Sequence, residues 1–503
     1  GGTWERASIR GRLETPSPSA EEGFRVLRLD EGGEEIEGHV FSSSQLAAHW
    51  DELDALVGPE YQRVPVRVTR ETGLELEAEA YVLRPRAVLE PPPWAVMLAL
   101  VFAGEAIFLL PFVLVRIFRP TVLDVLGIDN TQLGTAFSAY GVVALVAYLL
   151  GGPLADRYPA RKLMVLALLS TAAGGAAFYA LPGTTGLTFL YAYFGVTSIL
   201  PFWSALLRAT REWGGSEAQG QAYGLLDGGR GLVSALIATF SVGVFAMMMP
   251  DAQQATLEVK QAALRSAILY FAIGTGLAAL LVWRFIPERS GQRQAEGQSL
   301  DLVMISRVLG KPTLWLQSLI VVCAYVGYKG TDDFSLLARE ALGYDDVQAA
   351  TLGTLSFWVR PVAAVIAGLI ADRVGRGSTV LAVSFGFLVV AQLVVAGGTE
   401  AAHLVTVLAG LAGTSAFVYA LRGVYFAIFD EARVSVTVTG TAVGVVSVLG
   451  YTPDIFMGPV MGLILDGHPG AAGHRLLFLM LAAFSALGLV ATLAFRFVSS
   501  RAA

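Results

Sequence analysis

Six places in this sequence put ionisable side chains inside long apolar runs: Glu105, Arg116, Asp227 with Arg230, Lys329 with Asp332 and Asp333, Arg360, and Asp454. In an apolar medium an ionised group costs roughly 2.5 kcal/mol or more, so each of these should face a cavity or a partner. Guanidinium groups grip oxyanions through paired hydrogen bonds, so Arg116 and Arg230 suggest an anionic ligand carrying phosphate, sulfonate or carboxylate. The spacings 227/230 and 329/332/333 also put opposite charges on one helical face, where local pairing is the alternative. Glu105 has no basic residue three or four positions away. A desolvated carboxylate resists ionisation, which makes it a candidate carrier of a coupling proton, or else a buried acid bonded to a neighbouring helix. Arg360, just before Pro361, and Arg422, near a helix end, read as side chains that snorkel. Tyr328 and Tyr451 are candidates to stack on the body of a ligand. Nothing points to a catalytic set, a metal site, a cofactor or nucleic acid.

Long elements in an apolar solvent are needed to hold such residues. Of 503 residues, 54% are hydrophobic and 15% charged, against about 25% charged in ordinary soluble domains. A lipid bilayer is therefore the expected surroundings. The net charge of -6 comes from 41 acidic and 35 basic residues lying mostly before residue 90 and between apolar runs, so it says little about partners. The single cysteine, Cys323, excludes an internal disulfide. Gly1-Gly2-Thr3-Trp4 reads as the interior of something longer.

About twelve segments near the ~20-residue length of a spanning helix come after residue 93. Their expected places are 94–117, 132–152, 163–182, 187–208, 221–249, 263–286, 313–335, 346–370, 378–396, 401–427, 437–464 and 475–498. Arg157, Arg161, Lys162, Arg208, Arg284, Arg373, Arg376 and Arg496 all fall on one side of this scheme, which the positive-inside rule makes cytoplasmic, with both termini. The expected organisation is a soluble α+β module over 1–88, a proline-rich linker over 89–93, a six-helix bundle over 94–286, a cytoplasmic loop over 287–312 and a second six-helix bundle over 313–498. Gly152-Pro153-Leu154-Ala155-Asp156-Arg157 recurs as Gly368-Leu369-Ile370-Ala371-Asp372-Arg373 in the second bundle, which indicates parallel repeats.

The stretch Gly151-Gly152-Pro153-Leu154-Ala155-Asp156-Arg157-Tyr158-Pro159-Ala160-Arg161-Lys162 resembles the loop motif of the major facilitator superfamily, with a weaker copy ending at Arg376. The resemblance covers about residues 94–498. It implies a conformational latch formed by Gly152, Asp156, Arg157, Arg161, Asp372, Arg373 and Arg376. A tight turn with ordinary positive-inside charges is the alternative. It also implies a central cavity lined by the first, fifth, seventh and eleventh helices, which carry Arg116, Arg230, Lys329 and Asp454. A finer likeness, over Val115 to Gly134 and Trp213 to Gly231, is to the organophosphate:phosphate antiporter group. Arg116 falls at that group's phosphate-binding arginine, and Arg230 at a histidine facing the substrate. Gly327 stands where the group has another arginine, with Lys329 nearby.

Residues 4–84 resemble the later part of the γ-glutamylcyclotransferase-like fold, through Ile9-Arg10-Gly11-Arg12-Leu13, Gly38-His39-Val40-Phe41 and Leu53 to Val64. Val57 occupies that family's acid/base position and cannot exchange a proton. An accessory module without enzyme activity is expected.

The expected function is secondary active transport of a small organic anion by alternating access, in the plasma (inner) membrane, by a monomer, with a coupling proton or counter-anion. An exporter of hydrophobic or cationic compounds is the alternative. No Gly-x-x-x-x-Gly-Lys-Ser/Thr sequence suggests ATP-driven pumping. Deleting residues 1–88 is expected to leave uptake into proteoliposomes unchanged. Loss of uptake by a folded, normally expressed deletion variant would give the module a working role.

Overall fold

The computed structural model describes residues 2–14, 26–29, 34–57, 61–83, 94–215, 219–287, 311–374, 376–400, 403–425, 428, 431 and 445–501. Most of the expected central loop, and the stretch around 437 where the eleventh helix is expected to begin, lie outside them. The chain divides into two compact units, Gly1–Pro93 and Trp94–Ala503.

The first unit is an antiparallel sheet. β1 (Thr3–Glu14) pairs with β2 (Val26–Leu29), β3 (Glu34–Ser42) and β4 (Tyr61–Arg70), and β4 pairs with β5 (Glu75–Leu83). Period-two alternation explains which face is inside: Val66, Val68 and Val82 are buried, while Arg67 faces outward opposite Glu77. The helix expected near 44–56 is a 3-10 turn, Leu46–His49, followed by Trp50–Val57. On that helix Asp54 accepts hydrogen bonds from the Tyr81 hydroxyl at 2.5 Å and Arg63 Nε at 3.2 Å. These bonds hold its carboxyl below the usual carboxylate range.

The second unit is helical. Ten described helices are long and apolar enough to cross a membrane. In chain order they are spans 1 (Trp94–Leu126), 3 (Ala160–Tyr179), 4 (Thr184–Gly214), 5 (Gln221–Met248), 6 (Leu257–Phe285), 8 (Asp346–Ala371), 9 (Gly377–Thr399), 10 (Leu404–Val424), 11 (Val445–Gly467) and 12 (Ala471–Ser500). The two remaining expected places hold span 2, Asn130–Arg157, and span 7, Pro312–Lys329, which continues through a 3-10 turn into Phe334–Glu340. Large apolar side chains such as Leu98, Leu166, Phe189, Phe240, Leu280 and Val405 point outward, as lipid requires.

Packing repeats one plan in each half. Span 2 lies on span 4 and span 3 on span 6, as span 8 lies on span 10 and span 9 on span 12. The two halves meet where span 2 crosses span 11 and span 5 crosses span 8. At the first crossing the backbones touch: a Cβ on Gly134 would lie 2.2 Å from the Gly458 carbonyl oxygen, and one on Gly462 would lie 2.4 Å from Thr131 Cα. Small residues are the usual means of such approach between helices in lipid. Backbone atoms cannot move aside as a flexible side chain can. Gly458→Leu should therefore destabilise the bundle by about 1–3 kcal/mol, the range for overpacking. The check is the thermal unfolding midpoint in detergent, and an unchanged midpoint counts against this contact.

Candidate functional site

Two breaks in span 1 aim its charged residues. A π-helical turn, Leu109–Val113, surrounds Pro111, whose ring lacks an amide donor. Six residues before Pro111 lies Glu105, and five after it lies Arg116. The helix kinks again at Phe118, ahead of Pro120, and ends at Gly127 with φ 60°, a left-handed cap that suits glycine.

Glu105 is buried between two arginines. Its Oε2 lies 3.6 Å from Arg230 Nε of span 5 and 3.5 Å from Arg360 Nη1 of span 8. Arg360 also reaches Asp227 at 3.1 Å, closer than the 3.8 Å between Asp227 and its helical neighbour Arg230. Arg230 Nε donates to the Gly104 carbonyl at 3.0 Å, and a Cβ on Gly104 would stand 2.9 Å from Arg230 Cδ, so a larger residue there would push the arginine aside. Phe108 and Trp203 flank its guanidinium at 5.7 and 5.6 Å.

A second group lies against span 7. Arg116 Nε donates to Asp332 at 2.6 Å and Arg116 Nη2 to the Tyr328 hydroxyl at 3.0 Å. Lys329 pairs with Asp454 of span 11 at 2.9 Å and stands 3.8 Å from Asp332. Tyr325 donates to Asp454 at 3.1 Å. Arg119 donates to the Asp332 carbonyl and to Asn130. Tyr328 joins the two groups: Arg116 bonds its hydroxyl, and Arg422 of span 10 lies 4.1 Å above its ring. Arg422 is near enough to Asp227, Arg230 and Arg360 to feel their charge. Tyr451 stacks on Tyr148 at 6.0 Å across the two halves and meets Tyr325 edge-on.

The candidates thus gather in one charged core, through contacts that spacing along a helix does not reveal. Glu105 has basic partners after all, 125 and 255 positions away. Arg116 and Arg230 sit in separate ion pairs rather than side by side. Asp333, read with Lys329 and Asp332 as one cluster, turns away to His474 of span 12. Arg360 and Arg422, read as snorkelling, point into the core. The signal for Arg422 was its place in the apolar run 404–424. Tyr148 and Tyr419, which faces Tyr328 at 6.1 Å, carried no signal of their own.

Of the latch candidates, Asp156 and Asp372 lie at the ends of spans 2 and 8, but their side chains are outside the described set. Arg157, Arg373 and Arg376 are exposed, and Arg161 lies 4.7 Å over the Trp283 ring. Nothing meets a Cβ on Gly152. Among the described residues no cluster of three or more His, Cys, Asp or Glu stands ready to hold a metal ion. A separate apolar furrow between spans 8, 9 and 10, lined by Val362, Ile366, Ile370 and Val383, carries none of this chemistry.

The end of the bundle away from Arg157 is tied shut. Asp466, at the end of span 11, accepts from the backbone amides of Asn130 and Thr131 at 3.1 and 2.7 Å and from both side chains, capping span 2. Beside it, Lys260 bridges Asp124 and Asp346 at 2.7 Å each, and Arg339 bridges the same two at 2.7 and 3.3 Å. Asp124 and Lys260 belong to the first half, Arg339 and Asp346 to the second. The pairs through Asp124, 31% exposed, contribute about 0.2–1 kcal/mol each, and breaking those through the buried Asp346 costs more. Asp124→Asn with Asp346→Asn should therefore raise the population open at this end several-fold. Spin-label distances across spans 1 and 7, on a Cys323→Ser background, measure it; an unaltered distance distribution would rule out the gate.

The chain is 28% identical over 411 residues to Inner membrane protein YqcE of Escherichia coli (strain K12), covering 80% of this chain and 94% of that protein. It is 27% identical over 406 residues to Inner membrane protein YihN of the same organism, covering 80% and 95%. Its fold is similar to that of a mutant of the nucleoside transporter NupG, with TM-score 0.62, 13% identity and coverage of 80% and 98%. A bacterial homolog of the human lysosomal transporter Spinster, solved inward-facing and occupied, has TM-score 0.59 at 15% identity, covering 82% and 97%. Residues 95–452 match the family description, and with its doubled six-helix plan this integral membrane chain belongs to the Major Facilitator Superfamily.

Proposed function

We propose that this transporter is a secondary active carrier of a small organic anion, phosphorylated, sulfonated or carboxylated, moved by alternating access of its two halves. The observation that carries this reading is the charge balance of the core. Arg116 and Lys329 are matched by Asp332 and Asp454, whereas the three cations Arg230, Arg360 and Arg422 stand against two carboxylates, Glu105 and Asp227, leaving one positive charge. Arg422 is where the surplus is felt: no described carboxylate pairs with it, and its Nη1 is buried without a hydrogen-bond partner. An oxyanion meets that need, since it accepts from a guanidinium fork and neutralises the excess. Arg230 and Arg360 would complete the head-group site, and Tyr328 and Tyr451 would flank the ligand's body.

The likeness of the Arg116 segment to the organophosphate:phosphate antiporter group supports the same ligand class. Arg116 already holds Asp332 in this state, so in our reading it joins the anion only after that pair parts. Two relatives carry the words inner membrane protein in their names, and the arginine-rich loops favour that membrane with both termini cytoplasmic. The N-terminal module, likened to the γ-glutamylcyclotransferase-like fold with Val57 at its acid/base position, is proposed to be a non-catalytic accessory.

The test is a thermal-shift panel on purified protein with phosphorylated, sulfonated and carboxylated sugars and small acids, and then titration of the best ligand. Arg422→Lys keeps the charge but loses the fork, and should weaken binding by about 1–3 kcal/mol, the range for hydrogen bonds to charged groups. Stabilisation by cationic or neutral compounds alone, unaffected by Arg422→Lys, would replace this reading with the exporter.

A further inference from the structure

Span 12 buries His474 completely, with a carboxylate on each side of its ring. Nδ1 lies 2.7 Å from Asp333 Oδ2, and Nε2 lies 3.2 Å from Glu340 Oε2. A neutral imidazole has one N–H and one lone pair, whereas the cationic ring donates from both nitrogens. Between two ionised carboxylates the neutral ring leaves a lone pair facing an acceptor. The trio is therefore complete only when it holds an added proton. The carboxylates sit at opposite ring edges, so they cannot chelate one ion with it.

The two ends of this trio lead to different places. Glu340, with its side chain 32% exposed, lies at the gated end next to Arg339. Asp333 is fully buried, its Oδ1 has no hydrogen-bond partner, and it shares the Gly330–Asp333 turn with Asp332. Asp332 is the carboxylate that holds Arg116 and faces Lys329.

We propose that Glu340, His474 and Asp333 form a proton relay that takes up a proton from the gated end and loosens the hold of Asp332 on Arg116 and Lys329. This rests on the anion-carrier reading for its purpose but not for its chemistry. In the starting state both carboxylates are ionised and the ring carries its proton on Nδ1. Glu340 accepts a proton from solution and passes it to Nε2, and Glu340 returns to its ionised form. Nδ1 then gives its proton to Asp333, leaving the ring neutral with its proton on Nε2 and Asp333 uncharged. One proton has moved inward, and one negative charge has left the turn that carries Asp332. The other charged groups around the trio are already engaged or lie outside it. Arg119 is bonded to Asn130 and the Asp332 carbonyl, Arg339 to Asp124 and Asp346, Lys329 to Asp454, and Asp466 to span 2. His468 lies at the end of span 11 and Arg475 comes directly after His474 on span 12, while span 9 has no ionisable residue.

Reciprocity supplies the test: if protonation of the trio weakens the Arg116 pair, removal of Arg116 must change the trio's proton affinity. The whole protein, with its five histidines labelled with 15N, is placed in nanodiscs and titrated by NMR between about pH 5 and pH 10. His474 is assigned by loss of its signals in His474→Gln. Arg116→Gln is expected to raise the His474 midpoint by about one pH unit, a tenfold change in proton affinity, and Arg284→Gln at the other end to leave it in place. Lys329→Met should act in the same direction and serves if Arg116→Gln does not fold. A purely structural His474 would show the same midpoint in all of them, or no titration, and either result overturns the relay. Inorganic sulfate, whose charge is constant over this range, separates the two readings. A midpoint raised by sulfate as well supports both. One that answers Arg116→Gln but not sulfate keeps the relay and counts against the anion site.

Discussion

Charge in a medium that solvates it poorly is the constraint on which this molecule is built. Two unit charges 4 Å apart attract by about 4 kcal/mol at the effective dielectric of a protein near its surface, and an unpaired one is costlier still to bury. The core answers by pairing, and its pairs cross the boundary between halves: Glu105 with Arg360, Asp227 with Arg360, Arg116 with Asp332. The contacts that neutralise the core therefore also join the two bundles. Any movement that parts the bundles strips these groups of partners, and water or an anion must take the vacated places. Ligand occupancy and the position of the halves are linked through that exchange, because a ligand shifts an equilibrium only by binding its states unequally.

The closed end uses different physics. Gly134, Gly458 and Gly462 let backbones meet, and Asp466 satisfies the amides at the start of span 2, so a short-range fit and a cap hold spans 2 and 11 together. The square of Asp124, Lys260, Arg339 and Asp346 adds modest, partly solvated attraction. Solvent can reach Asp124 and Arg339, each 31% exposed, so their pair can part without being left in an apolar environment, while Asp346 is buried. The core lacks that freedom.

The doubled architecture was legible because lipid demands long apolar runs and because the Gly-x-x-Ala-Asp-Arg pattern occurs after both span 2 and span 8. Stranded charges were legible for the same reason: Glu105 and Arg116 stand out against apolar neighbours. Their partners were not. Helical spacing reports neighbours three or four residues away, so it offered Asp227 to Arg230 but could not offer Arg360 to Asp227. Arg422 reads as a snorkelling side chain because the end of a helix usually lies near water, whereas it lies over Tyr328. His474, beside Arg475, carries no signal in the sequence, since only its packing against span 7 removes it from solvent.

The π-helical turn in span 1 has a consequence for how one helix addresses two neighbours. Eleven residues of regular α-helix turn through about three full revolutions, which would put Glu105 and Arg116 on almost the same face. A π turn adds one residue to the winding and offsets the downstream residues by about 100°. Upstream of Leu109 the helix presents its charge to spans 5 and 8, and downstream of Val113 to span 7. Straightening that turn into regular α-helix with no residue deleted would bring both charges onto one face and set them competing for one neighbour, although no charged residue had been altered.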